Sequence, residues 1–285
     1  MTKNIKRNND SNITKNLNSF FSLNLKLLKI FFIILIISGC STVKQINDLQ
    51  TYANVTFRHL CETSVRLDSI SFAGFMRIKG VNGIPPVFIP FEIRSNLKEK
   101  NATLILSLRN QKILQIIIDQ NNYYIVNNKE NKFFKDSITN MNFTSVMGMS
   151  FDPIQIIYLM YGKLPLSESI ELMNISQETS GYMLTMSDST TLYSLVLDEE
   201  DNILSGSVDN QFHDKIIIES ITYTKNDNNQ SIPRSAVFSN SDLSVSITFM
   251  INALSDRPLT GDYMDLNTLT TMEQVSTPQE VAIRM

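Results

Sequence analysis

Cys40 is the residue of this sequence best placed to do covalent chemistry. It follows Ser38 and Gly39, and these two small residues follow an unbroken apolar run from Ile30 to Ile37. A thiolate is a strong nucleophile, and small residues before it fit the narrow site of a processing enzyme. The spacing therefore marks Cys40 as a candidate for covalent modification.

The segment before Cys40 has the charge pattern of an export signal. It has a single acid, Asp10, and six basic residues: Lys3, Lys6, Arg7, Lys15, Lys26 and Lys29. Basic residues stay on the cytoplasmic side of a membrane while the apolar run enters it. The run is far shorter than the roughly twenty residues that a membrane-spanning helix needs. We therefore expect residues 1–39 to be a signal peptide that is removed.

The residues Ile37-Ser38-Gly39-Cys40 resemble the lipobox of bacterial lipoproteins, which is apolar, small, small and then cysteine. The resemblance implies that Cys40 carries a lipid anchor with fatty acyl chains such as palmitate. Two or three acyl chains hold a protein firmly on a membrane, whereas one binds marginally. Two alternatives stay open: an ordinary secretory signal with a chance cysteine, and a short membrane anchor.

Few other side chains suggest chemistry. His59 and His213 are far apart and have no Cys or Glu ligand pattern nearby, so we expect no zinc site. There is no Gly-x-Ser-x-Gly elbow, P-loop or dinucleotide fingerprint. We therefore expect neither an enzyme nor a cofactor. The acids 198–201 lie between two predicted strands, which favours a solvated turn, with divalent-ion binding as the alternative.

Charge and cysteine content limit the partners. Cys61 is the only other cysteine, so no internal disulfide can form once Cys40 is lipidated, and we expect Cys61 to be a small buried hydrophobe. The chain has a net charge of −3, and loss of the basic residues 1–39 makes the remainder more acidic. This charge argues against nucleic acid as a partner.

Beyond the anchor, the apolar periodicity predicts a helix followed by a sheet. Helical spacing covers residues 41–64. From Ile70 the period changes to two, which is typical of strands. The predicted strands are 70–79, 87–95, 103–109, 112–119, 123–127 and 132–135. Their short polar connections predict an antiparallel meander, because parallel crossovers need longer connections.

A helical break interrupts the strands. Residues 137–149 have helical character. Asp152 and Pro153 are a typical helix start, and Gly162 can end the helix. The segment Ile154–Tyr161 is apolar nearly all round, so it must be covered on more than one side. The meander supplies only one of these surfaces.

Strand patterns then resume and end before the C-terminus. The second set comprises residues 181–186, 192–197, 204–208, 215–225, 235–239 and 243–251. Beyond about Ser255 the chain is polar, so we expect residues 254–285 to form a loosely held tail. The expected organisation is thus a signal peptide (1–39), one domain (40–253) and this tail.

This order of elements resembles the LolB-type outer-membrane lipoprotein fold, which is related to the periplasmic carrier LolA. The resemblance covers about residues 43–253. Gly74, within Ile70–Gly80, matches a glycine of the family's opening strand, and residues 122–127 and 132–136 match the strand pair before the helices. The family's helix closes with Trp-x-x-Gly-x-Pro. Gly162 and Pro165 stand in this ending, with one extra residue, while the Trp is replaced.

The resemblance implies a mainly β fold: a strongly curved antiparallel sheet forming an incomplete barrel, with an N-terminal helix and two inner lid helices. It also implies an apolar cavity for acyl chains, a place at the periplasmic face of the outer membrane and a periplasmic carrier protein as partner. The family receptor has a projecting loop with an exposed Leu between its third and fourth strands. Here Arg109–Lys112 is short and polar, so a relative without the membrane-insertion role is an alternative.

Two hypotheses for the function follow. In the first, a lipid-anchored module binds acyl chains or lipoprotein cargo and takes part in protein transport. Its hydrophobic cavity would be lined by Ile70, Phe72, Leu104, Leu106, Ile157, Tyr161, Val245, Ile247 and Phe249. In the second, the protein is a structural or assembly lipoprotein of the envelope, and its own side chains or a partner fill the concave face. The volume of the cavity separates the two, because the first hypothesis requires a space wider than one water molecule between the sheet and the helix Ile154–Tyr161.

Overall fold

A computed structural model describes residues 49–65, 68–81, 86–164, 169–213, 215–255 and 266–282. Residues 1–48, and with them Cys40, lie outside the described residues, so the signal peptide and the lipid anchor stay predictions. Within the described ranges, the structure contains no helix with the length and apolar character required to cross a bilayer.

One open sheet of fourteen strands dominates the described part of the chain. Two antiparallel meanders make up most of it. The first comprises β1 (Ser69–Lys79), β2 (Ile89–Asn96), β3 (Asn101–Leu108), β4 (Gln111–Ile118), β5 (Asn122–Asn127) and β6 (Lys132–Ser137). The second comprises β7 (Glu171–Glu178), β8 (Gly181–Ser187), β9 (Thr191–Leu197), β10 (Ile203–Asn210), β11 (Ile216–Lys225), β12 (Ser231–Asn240) and β13 (Ser246–Ser255).

The seam between the two meanders is the antiparallel pair of β1 with β13. The register shifts between Ala73 and Gly74 at this seam. A Cβ at Gly74 would lie 1.9 Å from the carbonyl oxygen of Met250, so no larger residue fits there. The pairing of β1 with β13 joins the two meanders into one continuous sheet.

In the described ranges, three α-helices accompany the sheet: α1 (Leu49–Val65), α2 (Thr144–Met147) and α3 (Pro153–Met160). The start of α3 is as predicted: the Asp152 carboxylate accepts a hydrogen bond of 2.8 Å from the backbone N–H of Ile154, and Pro153 occupies the first turn. Most of α3 is buried, and it contacts β3 of the first meander and β12 of the second. The apolar surface all round this helix is thus covered from both halves of the sheet.

The expected fold class is confirmed: a mainly β chain whose curved sheet stays open as an incomplete barrel. The main apolar core joins residues of both meanders with α1, α2 and α3. It therefore lies between the inner face of the sheet and the helices.

Some strand predictions were wrong at their ends. The predicted strands 103–109 and 243–251 extend past the ends of β3 and β13, and within these predicted ranges Leu108 and Leu243 are 48% and 61% exposed. Leu108 precedes the tight Arg109-Asn110 turn, where both residues have positive φ. Leu243 itself has φ of 58° in the β12–β13 turn. Strand β7 was missed because, as an edge strand, it buries only Ile175 and lacks a clear alternation.

The expected loosely held tail is wrong for residues 266–282. A 3₁₀-helix (Leu266–Thr271) precedes β14 (Glu273–Gln274), which pairs in parallel with β6, and a second 3₁₀-helix (Pro278–Glu280) follows. Leu269 packs in a small cluster with Ile117, Tyr124, Val126 and Phe133, while Val275 and Val281 join the main core. The segment thus folds over β6, the last strand of the first meander. The prediction failed because the segment is mostly polar and makes only a few apolar contacts.

Candidate functional site

The cavity between the sheet and its inner helices is lined by apolar side chains. We call residues 144–160, which contain α2 and α3, the lid. A cavity of about 30 Å³ lies between the lid and β2, β3, β4 and β13. Its lining residues are Ile93, Ala102, Leu104, Ile116, Ile118, Met147, Phe151, Pro153, Ile156, Ile157 and Phe249. Such a lining can contact an apolar group, but its side chains supply no hydrogen bond to a polar one.

The cavity is small. Its volume of about 30 Å³ exceeds the roughly 10–15 Å³ that one enclosed water requires. Ligand pockets usually measure about 300–1,000 Å³. In this conformation the lid and the sheet therefore fill the interior almost completely with their own side chains.

The nine residues predicted to line a cavity come together in one core. Ile70, Phe72, Leu106, Ile157, Val245, Ile247 and Phe249 are buried members of the main cluster, and Leu104 and Tyr161 are partly buried against it. Of these nine, Leu104, Ile157 and Phe249 line the apolar cavity, whereas Tyr161 lines a different space. Their role in binding a ligand stays a prediction.

Sequence reasoning missed much of the cavity wall. Ile93, Ala102, Ile116 and Ile118 are inward-facing residues of β2, β3 and β4. The period-two pattern that identified these strands also identified their inner faces. The signal was thus present, but it does not say which inner positions lie under the lid.

A second, polar space opens beside the lid. This polar cleft has a volume of about 920 Å³ and lies at the C-terminal end of α3, between α1 and the turns of the second meander. Its lining includes Lys163, Glu200, Asp201, Lys225 and Arg234. No local sequence pattern predicts this cleft, because its walls come from parts of the chain that are remote in sequence.

Asp201 fastens α1 to one wall of the polar cleft. Its carboxylate accepts hydrogen bonds from the hydroxyls of Tyr52 at 3.3 Å, Thr56 at 3.1 Å and Tyr182. Burial is the main cause that raises the pKa of the Tyr182 phenol, and the bond to Asp201 raises it further. The acids 198–201 were expected to form a solvated turn, but Asp201 instead anchors a helix. The Asp198 carboxylate holds the turn itself by accepting from the Asn202 backbone N–H at 2.9 Å.

The C-terminal end of α3 fixes the position of Lys163. The backbone N–H of Lys163 donates to the Tyr158 carbonyl at 2.9 Å, and that of Gly162 donates to the Leu159 carbonyl at 2.9 Å. Gly162 has φ of 73°, so the helix ends in a Schellman motif. Burial lowers the pKa of the Lys163 ammonium, and the nearby Asp201 partly offsets this effect. A partly desolvated amine therefore stands on the polar cleft.

The N-terminal end of α3 has polar contacts of its own. Burial raises the pKa of the Asp152 carboxyl, while its bond to Ile154 and the nearby His213 act in the opposite direction. The Ser150 hydroxyl lies 3.1 Å from Nδ1 of His213 in the loop after β10. Gln155 is buried and donates to the Tyr193 hydroxyl at 3.4 Å. Polar groups thus hold both ends of α3, whereas most of the residues between them are apolar.

Other side chains with chemical potential are not assembled into a site. Within the described ranges, the structure contains no group of three or more His, Cys, Asp or Glu side chains suited to a metal ion. Cys61 is a free, partly buried thiol on α1, and burial raises its pKa.

Comparison with known sequences identifies no family. No protein-family model matches the sequence, and no curated protein is similar to it at a significant level.

Comparison with solved structures identifies the fold. A proposed outer membrane lipoprotein-sorting protein domain from Vibrio parahaemolyticus aligns with a TM-score of 0.51 at 10% identity, over 75% of this chain and 97% of that one. A DUF1329-family protein from Desulfovibrio piger gives 0.50 at 10% identity, over 78% and 100%. A LolA superfamily protein from Nitrosomonas europaea gives 0.48 at 8% identity, over 73% and 94%. At these identities the likeness concerns the fold alone, and the protein has a LolA/LolB-like fold.

Proposed function

We propose that this protein is a lipid-anchored envelope protein that binds acyl chains, of lipids or of lipoprotein cargo, between its lid and its sheet. The observation that carries the proposal is the wholly apolar cavity beneath α3. Each methylene group buried there contributes about 0.8 kcal/mol, so affinity needs no polar chemistry. The Vibrio parahaemolyticus domain is described as a lipoprotein-sorting domain, which supports the same proposal.

Binding of a whole acyl chain requires the lid to move. The cavity of about 30 Å³ admits only the end of a chain, so the structure represents the closed state under this proposal. Met147 lines the cavity, and Met141, Met149 and Met160 are buried in the same core. Methionine repacks easily, which suits an interior that must accept a guest and close again without one.

The anchor and the partners belong to the same proposal. A lipid on Cys40 would hold the domain on the membrane, at the periplasmic face of the outer membrane. A periplasmic carrier protein would deliver the cargo. The tight Arg109-Asn110 turn favours reception or storage of cargo over its insertion into the bilayer, because it projects no apolar loop from the β3–β4 hairpin.

A second candidate is a structural or assembly lipoprotein that binds no free ligand. The observation in its favour is again the volume, because an interior filled by its own side chains needs no guest. Under this candidate the lid is a permanent part of the core.

Native mass spectrometry of Cys40→Ser protein, isolated from its own envelope without detergent, tests the proposal. We expect a fraction that retains one lipid or fatty acid. The purified protein should also bind a fluorescent fatty acid in a saturable way. Protein that carries no lipid and binds no fatty acid would support the structural candidate instead.

A matched pair of variants tests the location. Ala102 is buried and lines the cavity, so Ala102→Leu should fill that space and weaken fatty-acid binding several-fold. Ala73 is partly exposed on β1 and lies outside the cavity lining, so Ala73→Leu should bind like the wild type. Equal binding by both variants would place the ligand elsewhere.

A further inference from the structure

We propose that the polar cleft binds the anionic head group of an amphiphile whose acyl chain enters the apolar interior, with Lys163 as the residue that pairs with the anion. This inference rests on the proposed function and adds the chemical class of the ligand. It follows from three features of the cleft: its position, its floor and its charges.

The polar cleft and the apolar cavity adjoin along the same two elements. Ile157 of α3 lines the cavity, and Tyr161, at the C-cap of the same helix, lines the cleft. Four residues of helix separate these two positions by about 6 Å. On β13, Phe249 lines the cavity and Ile251 lines the cleft, about 7 Å apart along the strand. A molecule with a polar head and an apolar tail can therefore contact both spaces at once.

The floor of the polar cleft consists of core residues. Leu60 and Ile251 line the cleft and are 1% and 3% exposed. The ring of Tyr161, also on the cleft, meets the buried ring of Phe72 with 6.4 Å between their centroids. Because Leu60 and Ile251 also belong to the main core, the cleft borders that core directly.

The charges of the polar cleft favour an anion. Lys163, Lys225 and Arg234 line it together with the acids Glu200 and Asp201. Glu200 forms an ion pair with Lys225 and accepts from Ser231 at 3.0 Å, and Asp201 accepts from three hydroxyls. The protein therefore already engages both acids, and among the described lining residues three cations accompany these two acids.

Lys163 and Arg234 are the cations that suit a ligand. Arg234 donates one hydrogen bond of 2.9 Å to the Ile251 carbonyl, and a guanidinium carries five donors in all. The Lys163 amine stands beside Asp201, but burial still lowers its pKa. An anion placed next to this amine would offset its desolvation, so binding of the anion and retention of the lysine's charge favour each other.

The test compares two amphiphiles that differ only in the head group. Dodecanoic acid and dodecanol are each used to displace a neutral fluorescent apolar probe from Cys40→Ser protein, at neutral pH and low salt. We expect the acid to bind about tenfold more tightly, the effect of one charge-assisted hydrogen bond. Lys163→Met should abolish this preference, and Lys163→Arg should retain it. Lys112→Met, an exposed lysine outside the cleft, is the control and should behave like the wild type.

Each other outcome overturns the inference in a distinct way. Equal binding of acid and alcohol by the wild type, or a preference that survives Lys163→Met, would remove the head-group site and leave the proposed function intact. Competition by inorganic phosphate alone, at the concentrations at which dodecanoic acid binds, would show a site for free anions instead. Failure of both amphiphiles to displace the probe would contradict the proposed function as well.

Discussion

At the scale of single residues, the two ends of α3 carry the most information. Asp152 and Gly162 were recognisable because caps depend on local backbone hydrogen bonds. In the structure both residues also make tertiary contacts: Asp152 lies near His213, and Gly162 lies against Tyr223. Their replacement therefore tests more than helix propensity.

Gly162→Ala should destabilise the protein. The backbone φ of 73° costs a side-chain-bearing residue about 1–2 kcal/mol, and the new Cβ would lie 2.7 Å from the Tyr223 hydroxyl oxygen. Urea unfolding measures the loss. In a Tyr223→Phe background the same substitution should cost less, because the clashing oxygen is gone. An unchanged free energy of unfolding after Gly162→Ala would contradict the geometry of this helix end.

Asp152→Asn should be at least as stable as the wild type at neutral pH. Burial raises the pKa of the Asp152 carboxyl, so the folded protein holds the proton more tightly than the unfolded chain. Its contribution to stability is thus greatest below the unfolded pKa and falls as pH rises through the folded pKa. Asn retains the cap without the charge, whereas Asp152→Ala should lose about 1 kcal/mol.

Thermal unfolding between acidic and neutral pH separates these effects. The advantage of Asp152→Asn over the wild type should shrink as pH is lowered, because the wild-type carboxyl becomes protonated. An Asn variant as unstable as the Ala variant at every pH would show that the carboxylate itself is required.

At the scale of elements, the C-terminal segment 266–282 is the part whose role differs most from expectation. It covers the outer face of β4–β6 with Leu269 and reaches the main core with Val275 and Val281. The Asn127 side chain donates to the Val281 carbonyl at 3.3 Å, which fixes the end of the segment. The first meander is therefore completed by residues that follow the second.

Deletion of residues 266–285 should lower the free energy of unfolding by several kcal/mol. Each of the three buried apolar side chains contributes about 1.5–3 kcal/mol when fully buried, and their loss exposes Ile117 and Val126. Thermal unfolding and apolar dye binding measure the change. Deletion of 283–285 alone is the control and should have little effect. A wild-type midpoint after the longer deletion would show that the segment is dispensable.

At the scale of the whole molecule, one continuous sheet carries a lid that touches both of its halves. Helix α3 contacts β3 and β12, and Asp201 of the β9–β10 turn holds α1 through the hydroxyls of Tyr52 and Thr56. Movement of the lid therefore changes contacts in both meanders. This arrangement suits an interior that opens at one end while the seam of β1 and β13 stays paired.

Cys40→Ser should release the protein from the membrane to the soluble fraction of the envelope. The reason is that the proposed acyl chains on Cys40 supply the membrane affinity. Cell fractionation measures the change, and Cys61→Ser should stay with the membrane as the control. Continued membrane association of the Cys40 variant would remove the anchor from the proposal.

The sequence by itself determined the two meanders, the helical break between them and the capped ends of α3, and through these the fold. Period-two alternation and helix caps depend on residues close in sequence, so the sequence alone reveals them. Only the tertiary structure decided that Lys163, Tyr223 and Arg234 share a cleft and that the interior beneath α3 is nearly full. Both facts depend on distances of a few ångströms between residues remote in the chain, which side-chain packing sets and no local pattern records.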